Sequence, residues 1–211
     1  MRNLQMDFPL PEGVGIMNPY ADDHAFGYAK QFYEKYYHDD HPRTYLIGIN
    51  PGRLGGGITG IPFTDPQKLE NYCGIKNDWE KRTELSADFI YRVITAYGGP
   101  AKFYNKFFFT AVSPLGFIRE GKNMNYYDDK QLIKSAESFI IDCFHQQLKL
   151  IPSATKAFCL GEGSNFKYLS AVNQTHGFFE EIVPLPHPRW VMQYRRKKME
   201  EFVELYCKNL G

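Results

Sequence analysis

The sequence predicts an α/β fold in which a parallel sheet is sandwiched between helices. Three observations carry that expectation. Short, nearly continuous apolar runs recur at 44–49, 106–112, 155–160 and 180–185, as expected of strands covered on both faces. Longer segments of helical periodicity separate them, which implies right-handed crossovers. No repeat, low-complexity tract or linker divides the 211 residues, so one domain is expected.

The elements follow in order. Residues 1–40 are expected to form an N-terminal extension packed on the domain; 1–20, rich in Pro and Gly, should run along its surface. "ADDHAFGYAKQFYEKYYHD" reads as an amphipathic helix capped by Asp22 or Asp23. A strand at 44–49 enters the loop 50–66, and "DPQKLENYCGI" starts a short helix. Ser86 is expected to cap the helix of "SADFIYRVITAYGG", with Gly98 and Gly99 as its stop. A long helix is expected over roughly 128–150, another after "GEGSN", and a last one over roughly 192–208.

In such a fold ligands sit beyond the carboxyl ends of the strands. The loops 50–66, 113–127, 161–164 and 186–191 should therefore converge. The first, "GINPGRLGGGITGIPFTDP", is not a phosphate loop, because it lacks the Lys-Ser/Thr pair that holds phosphate and magnesium. Pro62 and Pro66 also break any helix that a dinucleotide fingerprint would open. What remains is a strand ending at Asn50, stiffened by Pro51. Its glycines let backbone approach a ligand, and Phe63 is positioned to lie against a planar ring. "PLPHPRW" places His187 between two prolines on the same rim.

A net charge of +1 excludes nothing, but "RWVMQYRRKKMEEF" is a local basic and aromatic patch. The four cysteines are far apart with no CxxC pair, which argues against zinc, iron–sulfur and disulfide frameworks. Reduced thiols and a cytoplasmic location are the expectation, with no metal or other cofactor. No run approaches the roughly 18 apolar residues of a membrane span.

These motifs, with "SPLGF", "GKN", "LGEG" and "HPR" in the same order, resemble the single-strand-selective monofunctional branch of the uracil-DNA glycosylase superfamily, from about Tyr45 to the end. The resemblance implies a three-layer α/β/α sandwich around a four-stranded parallel sheet. It implies excision of a base flipped out of single- or double-stranded DNA, with an abasic site as product. Carried over by position, Asn50 is the catalytic amide, Phe63 stacks on the base and His187 contacts its carbonyl oxygen. Ile49, Gly52 and Ser113 belong to the base site, with Gly52 on the C5 side of the base. Arg189, Trp190, Tyr194, Arg195 and Arg196 are expected to meet DNA, with Trp190 or Tyr194 as the wedge. A monomer is expected.

Two departures stand out. The family's edge-reading asparagine is Ala111 here, so the pocket either admits xanthine and hypoxanthine beside uracil or borrows an amide from Asn123 or Asn125. The wedge loop lacks a Ser-Pro and should be shorter. Asp65 is a rival general base, and a non-catalytic binder of damaged DNA is the alternative function.

Overall fold

A computed structural model describes Leu4 and residues 7–211, Ala154 through its backbone alone. Residues 1–3, 5 and 6 of the expected N-terminal segment lie outside them. The chain opens with β1 (Val14–Met17) and α1 (Asp23–Tyr36), the latter capped by Asp22, whose carboxylate accepts the His24 and Ala25 amides. Then come β2 (Arg43–Gly48), α2 (Gly56–Thr59), α3 (Pro66–Asn71), α4 (Leu85–Ala96) and α5 (Pro100–Lys106). The middle of the chain supplies β3 (Phe107–Ala111), β4 (Gly116–Arg119), β5 (Lys122–Met124) and α6 (Lys130–Leu150). The last part supplies β6 (Ser153–Leu160), α7 (Ser164–His176), β7 (Glu181–Leu185), α8 (Pro188–Tyr194) and α9 (Met199–Leu210).

The central sheet has the order β3-β2-β6-β7 and every pair is parallel. Strand alternation divides its side chains between two layers. Leu46, Phe109, Phe158 and Leu160 point into one core with α4, α5, α8 and α9; Tyr45, Ile47, Phe108 and Cys159 point into another with α6 and α7. This is the three-layer sandwich. The chain runs from β2 outward to β3 and then back past β2 to β6, so the order reverses at β2. In open parallel sheets a crevice forms at that reversal, here beyond the tips of β2 and β6.

Four local expectations are corrected. A second sheet, β1-β4-β5, is antiparallel, and α1 buries Ala25, Ala29 and Phe32, so much of 1–40 is built into the domain. Glu84, two residues before Ser86, caps α4 by accepting the Ala87 amide at 2.9 Å. Its own amide is held by the Asp65 carboxylate at 3.0 Å, which starts the helix early. Helix α5 separates α4 from β3, opened by Pro100 after Gly99 in a positive-φ conformation. The single last helix is two, because α8 ends at Tyr194 and a 3-10 turn over Arg196–Lys198 precedes α9. Four consecutive cations, 195–198, repel one another within that turn, and the bend lets both helices pack on α4.

Candidate active site

A cavity of about 1060 Å³ opens at the sheet reversal and takes in Asn50, Gly52, Phe63, Ala111, Asn123 and His187. Its first wall is the segment after β2. Asn50 is held at both ends of its amide: Nδ2 donates to the Met124 carbonyl at 3.1 Å, and Oδ1 accepts the Tyr126 N–H at 3.0 Å. Donor and acceptor are thereby fixed, with one lone pair of Oδ1 left over. The Ile49 carbonyl accepts the Ser113 N–H at 3.1 Å, which closes the base of the loop against the segment after β3.

Phe63 follows Pro62 with φ of 53°, a left-handed backbone that costs an ordinary residue on the order of 1–3 kcal/mol. The surroundings hold it there. Thr59 donates its hydroxyl to the Thr64 carbonyl at 2.6 Å, and the Thr64 hydroxyl meets Tyr91 at 3.1 Å. The ring packs on Phe109, centroids 5.3 Å apart, and lies over Gly48, where a Cβ would stand 2.8 Å from the ring. A β-carbon at Gly57 would likewise meet the Gly52 carbonyl at 2.8 Å. These glycines serve close packing of the loop on itself, and short helix α2 forms among them. Gly52 is less crowded than Gly57: the nearest atom to an added Cβ there is the Asn123 amide nitrogen, at 3.5 Å.

Asp65 does not face the cleft. It is fully buried, one oxygen accepting the Lys68 amide at 2.7 Å and the other the Glu84 amide. It caps α3 and ties it to α4. Ser113 is also turned inward: its hydroxyl donates to the Leu115 carbonyl at 2.9 Å and accepts the Leu115 amide at 3.3 Å. Its expected place in the base site is taken by structural bonds.

The β4–β5 hairpin rims the same wall. Asn123 accepts the Arg53 N–H through Oδ1 at 3.2 Å. Asn125 folds back on its own turn, its amide and side chain both bonded to the Asp128 carboxylate.

His187 stands on the opposite wall as the N-cap of α8. Its Nδ1 accepts the Arg189 N–H at 3.1 Å, so the proton of the neutral ring sits on Nε2. Burial, with the Arg189 charge beside it, pulls its pKa down to about 4. The ring is a neutral donor at physiological pH. Its centroid is 6.4 Å from that of Phe63, and the Tyr206 hydroxyl fixes the preceding turn by donating to the Pro186 carbonyl. Beyond it α8 presents Trp190 and Tyr194, both exposed, with the Arg195 guanidinium 5.0 Å from the Trp190 ring. Arg189, Arg195 and Arg196 are exposed along this wall.

Sequence reasoning missed Tyr126 and Asn165. Both are buried; the Tyr126 hydroxyl donates to Asn165 Oδ1 at 3.0 Å, and Asn165 Nδ2 donates to the Gly48 carbonyl at 3.3 Å. The amide thus joins the tip of β2 to the residue whose backbone holds Asn50. Its position in the first turn of a helix looks like ordinary polar surface in sequence, and only "LGEGSN" following a strand marks the place.

The model of the Uracil DNA glycosylase superfamily matches residues 34–211. No curated protein matches. The crystal structure of wild-type Pedobacter heparinus SMUG2 is similar at 41% identity and a TM-score of 0.91, over 96% of this chain and 89% of that one. The superfamily suggested by the order of the motifs is also the one that matches the chain's sequence and its sheet: the protein belongs to the uracil-DNA glycosylase superfamily.

Proposed function

We propose that the protein excises a deaminated base, uracil above all, from DNA by hydrolysing its N-glycosidic bond, and leaves the abasic strand uncut. The observation that carries this reading is the pairing of two fixed polar groups in one cavity with an aromatic ring. Neutral His187 keeps Nε2–H free beside Phe63, and Asn50 keeps a free lone pair on Oδ1 in the cavity that both residues line.

An N-glycosidic bond breaks through an oxocarbenium-like sugar. Uracil departs as a stabilised anion, so a donor aimed at its carbonyl oxygen replaces a strong acid. The Nε2–H of His187 suits that role, and such donors contribute about 3–4 kcal/mol to a barrier. Being neutral, the ring does not spend a desolvated charge on the ground state. The free lone pair of Asn50 suits a water aimed at C1′. An amide orients that water without taking its proton, so a slow turnover is expected. Aspartate at this position would supply a base but would also set an oxygen against the Met124 carbonyl.

No lysine is assigned as a Schiff-base nucleophile, hence the monofunctional reading. Because Ala111 offers no donor or acceptor, xanthine and hypoxanthine belong to the substrate range. The test is single-turnover excision from oligonucleotides carrying each base, with Asn50→Ala beside Asp65→Ala. Asn50→Ala is expected to lose about a hundredfold or more in rate. Asp65→Ala loses stability but keeps its rate where it stays folded. Full activity in Asn50→Ala removes the catalytic assignment, and strand breaks without alkali or heat remove the monofunctional one.

A further inference from the structure

We propose that Asn123 is the side chain that tells a keto base from an amino base, by donating Nδ2–H to the exocyclic oxygen that deamination creates. The proposal rests on the glycosylase reading above and names the group that selects its substrate.

Ala111 leaves the pocket without a polar side chain at the family's reading position. Two asparagines, Asn123 and Asn125, line the same cavity as Ala111, and their hydrogen bonds separate them. Asn125 spends its amide on Asp128, with Nδ2 donating to Oδ1 at 3.3 Å, so it is folded into its own turn. Asn123 has the opposite arrangement. Its Oδ1 faces the Arg53 N–H, and an N–H donor can face only the oxygen end of an amide, so the orientation of the side chain is determined. Its NH₂ then points away from Arg53, and among the described residues no acceptor meets it.

That nitrogen lies 3.5 Å from the point where a Cβ on Gly52 would stand, on the lining of the cavity. Glycine at 52 keeps the path between the amide and the cavity open. The next residue, Met124, offers the carbonyl that holds Asn50 Nδ2. One peptide therefore links the group proposed to read the base with the group proposed to place the water, so the two are set at a fixed offset.

The chemistry follows from the donor. Cytosine and adenine carry an exocyclic amine, while uracil and hypoxanthine carry an oxygen at the corresponding position; xanthine and its parent guanine both carry an oxygen there, so this donor accepts xanthine without separating it from guanine. Against an NH₂ group the oxygen accepts a bond, whereas the amine sets donor against donor and leaves both unpaired. A single donor would thus accept uracil and hypoxanthine and reject cytosine and adenine, without the bidentate reading that would restrict the pocket to one ring.

The experiment is a chemical double-mutant cycle, read as single-turnover excision of uracil, 4-thiouracil and 2-thiouracil from the same oligonucleotide. Sulfur is a poor acceptor, and the leaving-group change it brings cancels in the cycle. Asn123→Ala is expected to slow uracil excision about tenfold, the effect of one hydrogen bond. The penalty for 4-thiouracil seen in the native protein should then shrink in the variant, while the penalty for 2-thiouracil stays. Asn123→Asp keeps the shape and the acceptor for Arg53 but loses the NH₂, so it should behave like Asn123→Ala at an unchanged melting temperature. An equal 4-thio penalty in native and variant proteins overturns the contact, as does an equal loss on every base, which marks a phosphate contact. A native protein inactive on uracil overturns the glycosylase reading and the contact with it; an active one with additive penalties overturns the contact alone.

Discussion

The two walls of the cleft are built in opposite ways. The wall after β2 is closed on itself: both ends of the Asn50 amide, both oxygens of Asp65 and the Thr59 and Thr64 hydroxyls are bonded within the protein. The wall after β7 is fixed at its root, by His187 on α8 and Tyr206 on Pro186, and open beyond it. There Trp190, Tyr194 and a run of four cations face solvent. The first wall suits chemistry, where small displacements of a reacting group are costly. The second suits docking, where long cationic side chains can adapt to a phosphate backbone.

His187 belongs to both walls by function and to the second by position. His187→Ala is expected to lower single-turnover excision by about 10²–10³, the usual effect of removing a donor to a developing anion. A loss confined to KM would make it part of the docking surface instead. Gly48→Ala tests the rigidity of the first wall. Its new Cβ would displace the Phe63 ring from 2.8 Å, and overpacking of this kind costs about 1–3 kcal/mol. The expected result is a lower melting temperature together with a slower rate; an unchanged rate would mean that the ring's position is irrelevant to stacking.

The pH dependence sharpens the role of His187 further. Its folded pKa, about 4, lies below the 6.5 of the free side chain, so between those values the unfolded chain binds the extra proton. Stability is therefore full above pH 6.5 and is lost as pH falls toward 4, by up to about 2 kcal/mol for a ring partly open to the cleft. Denaturant titrations of native protein and His187→Gln across that window measure the difference. The excision rate should show no step near 6.5. The smallest effect belongs to the second wall: Arg195→Ala and Arg196→Ala should each reduce the slope of log affinity against log salt by about 1, with single-turnover rates at saturation unchanged. Unchanged slopes in both variants would remove these residues from the DNA surface.

Legibility in the sequence followed the same division of physical causes. The four parallel strands stood out because burial on both faces makes them continuous apolar runs, Asn50 and His187 because each adjoins a proline at a strand exit, and Phe63 because it follows Pro62 in the loop after the first of them. The antiparallel strands β1, β4 and β5 were hidden by their brevity, four residues at most, and by sequences such as "KNM" that carry no alternation. Helix α5 did leave a signal, Pro at its first position after glycine, which the strand-like "KFFF" overshadowed. Asp65 and Ser113 show the limit at the site itself. Composition marks a polar side chain near a pocket, but only the path of the chain decides whether it faces the ligand or a neighbouring amide.

Gly48 also sets the terms on which this pocket can be redesigned. The Phe63 ring rests on the bare backbone of Gly48 and against the Phe109 ring, so a Cβ at 48 would lift it. Resizing the pocket by exchanging residue 48 or 63 therefore disturbs the wall itself. Ala111, the cross-strand partner of Gly48, is different: it is a small side chain that lines the same cavity. A change of base preference in the laboratory would begin at this position, where a larger or polar side chain enters the cavity without exchange of residue 48 or 63.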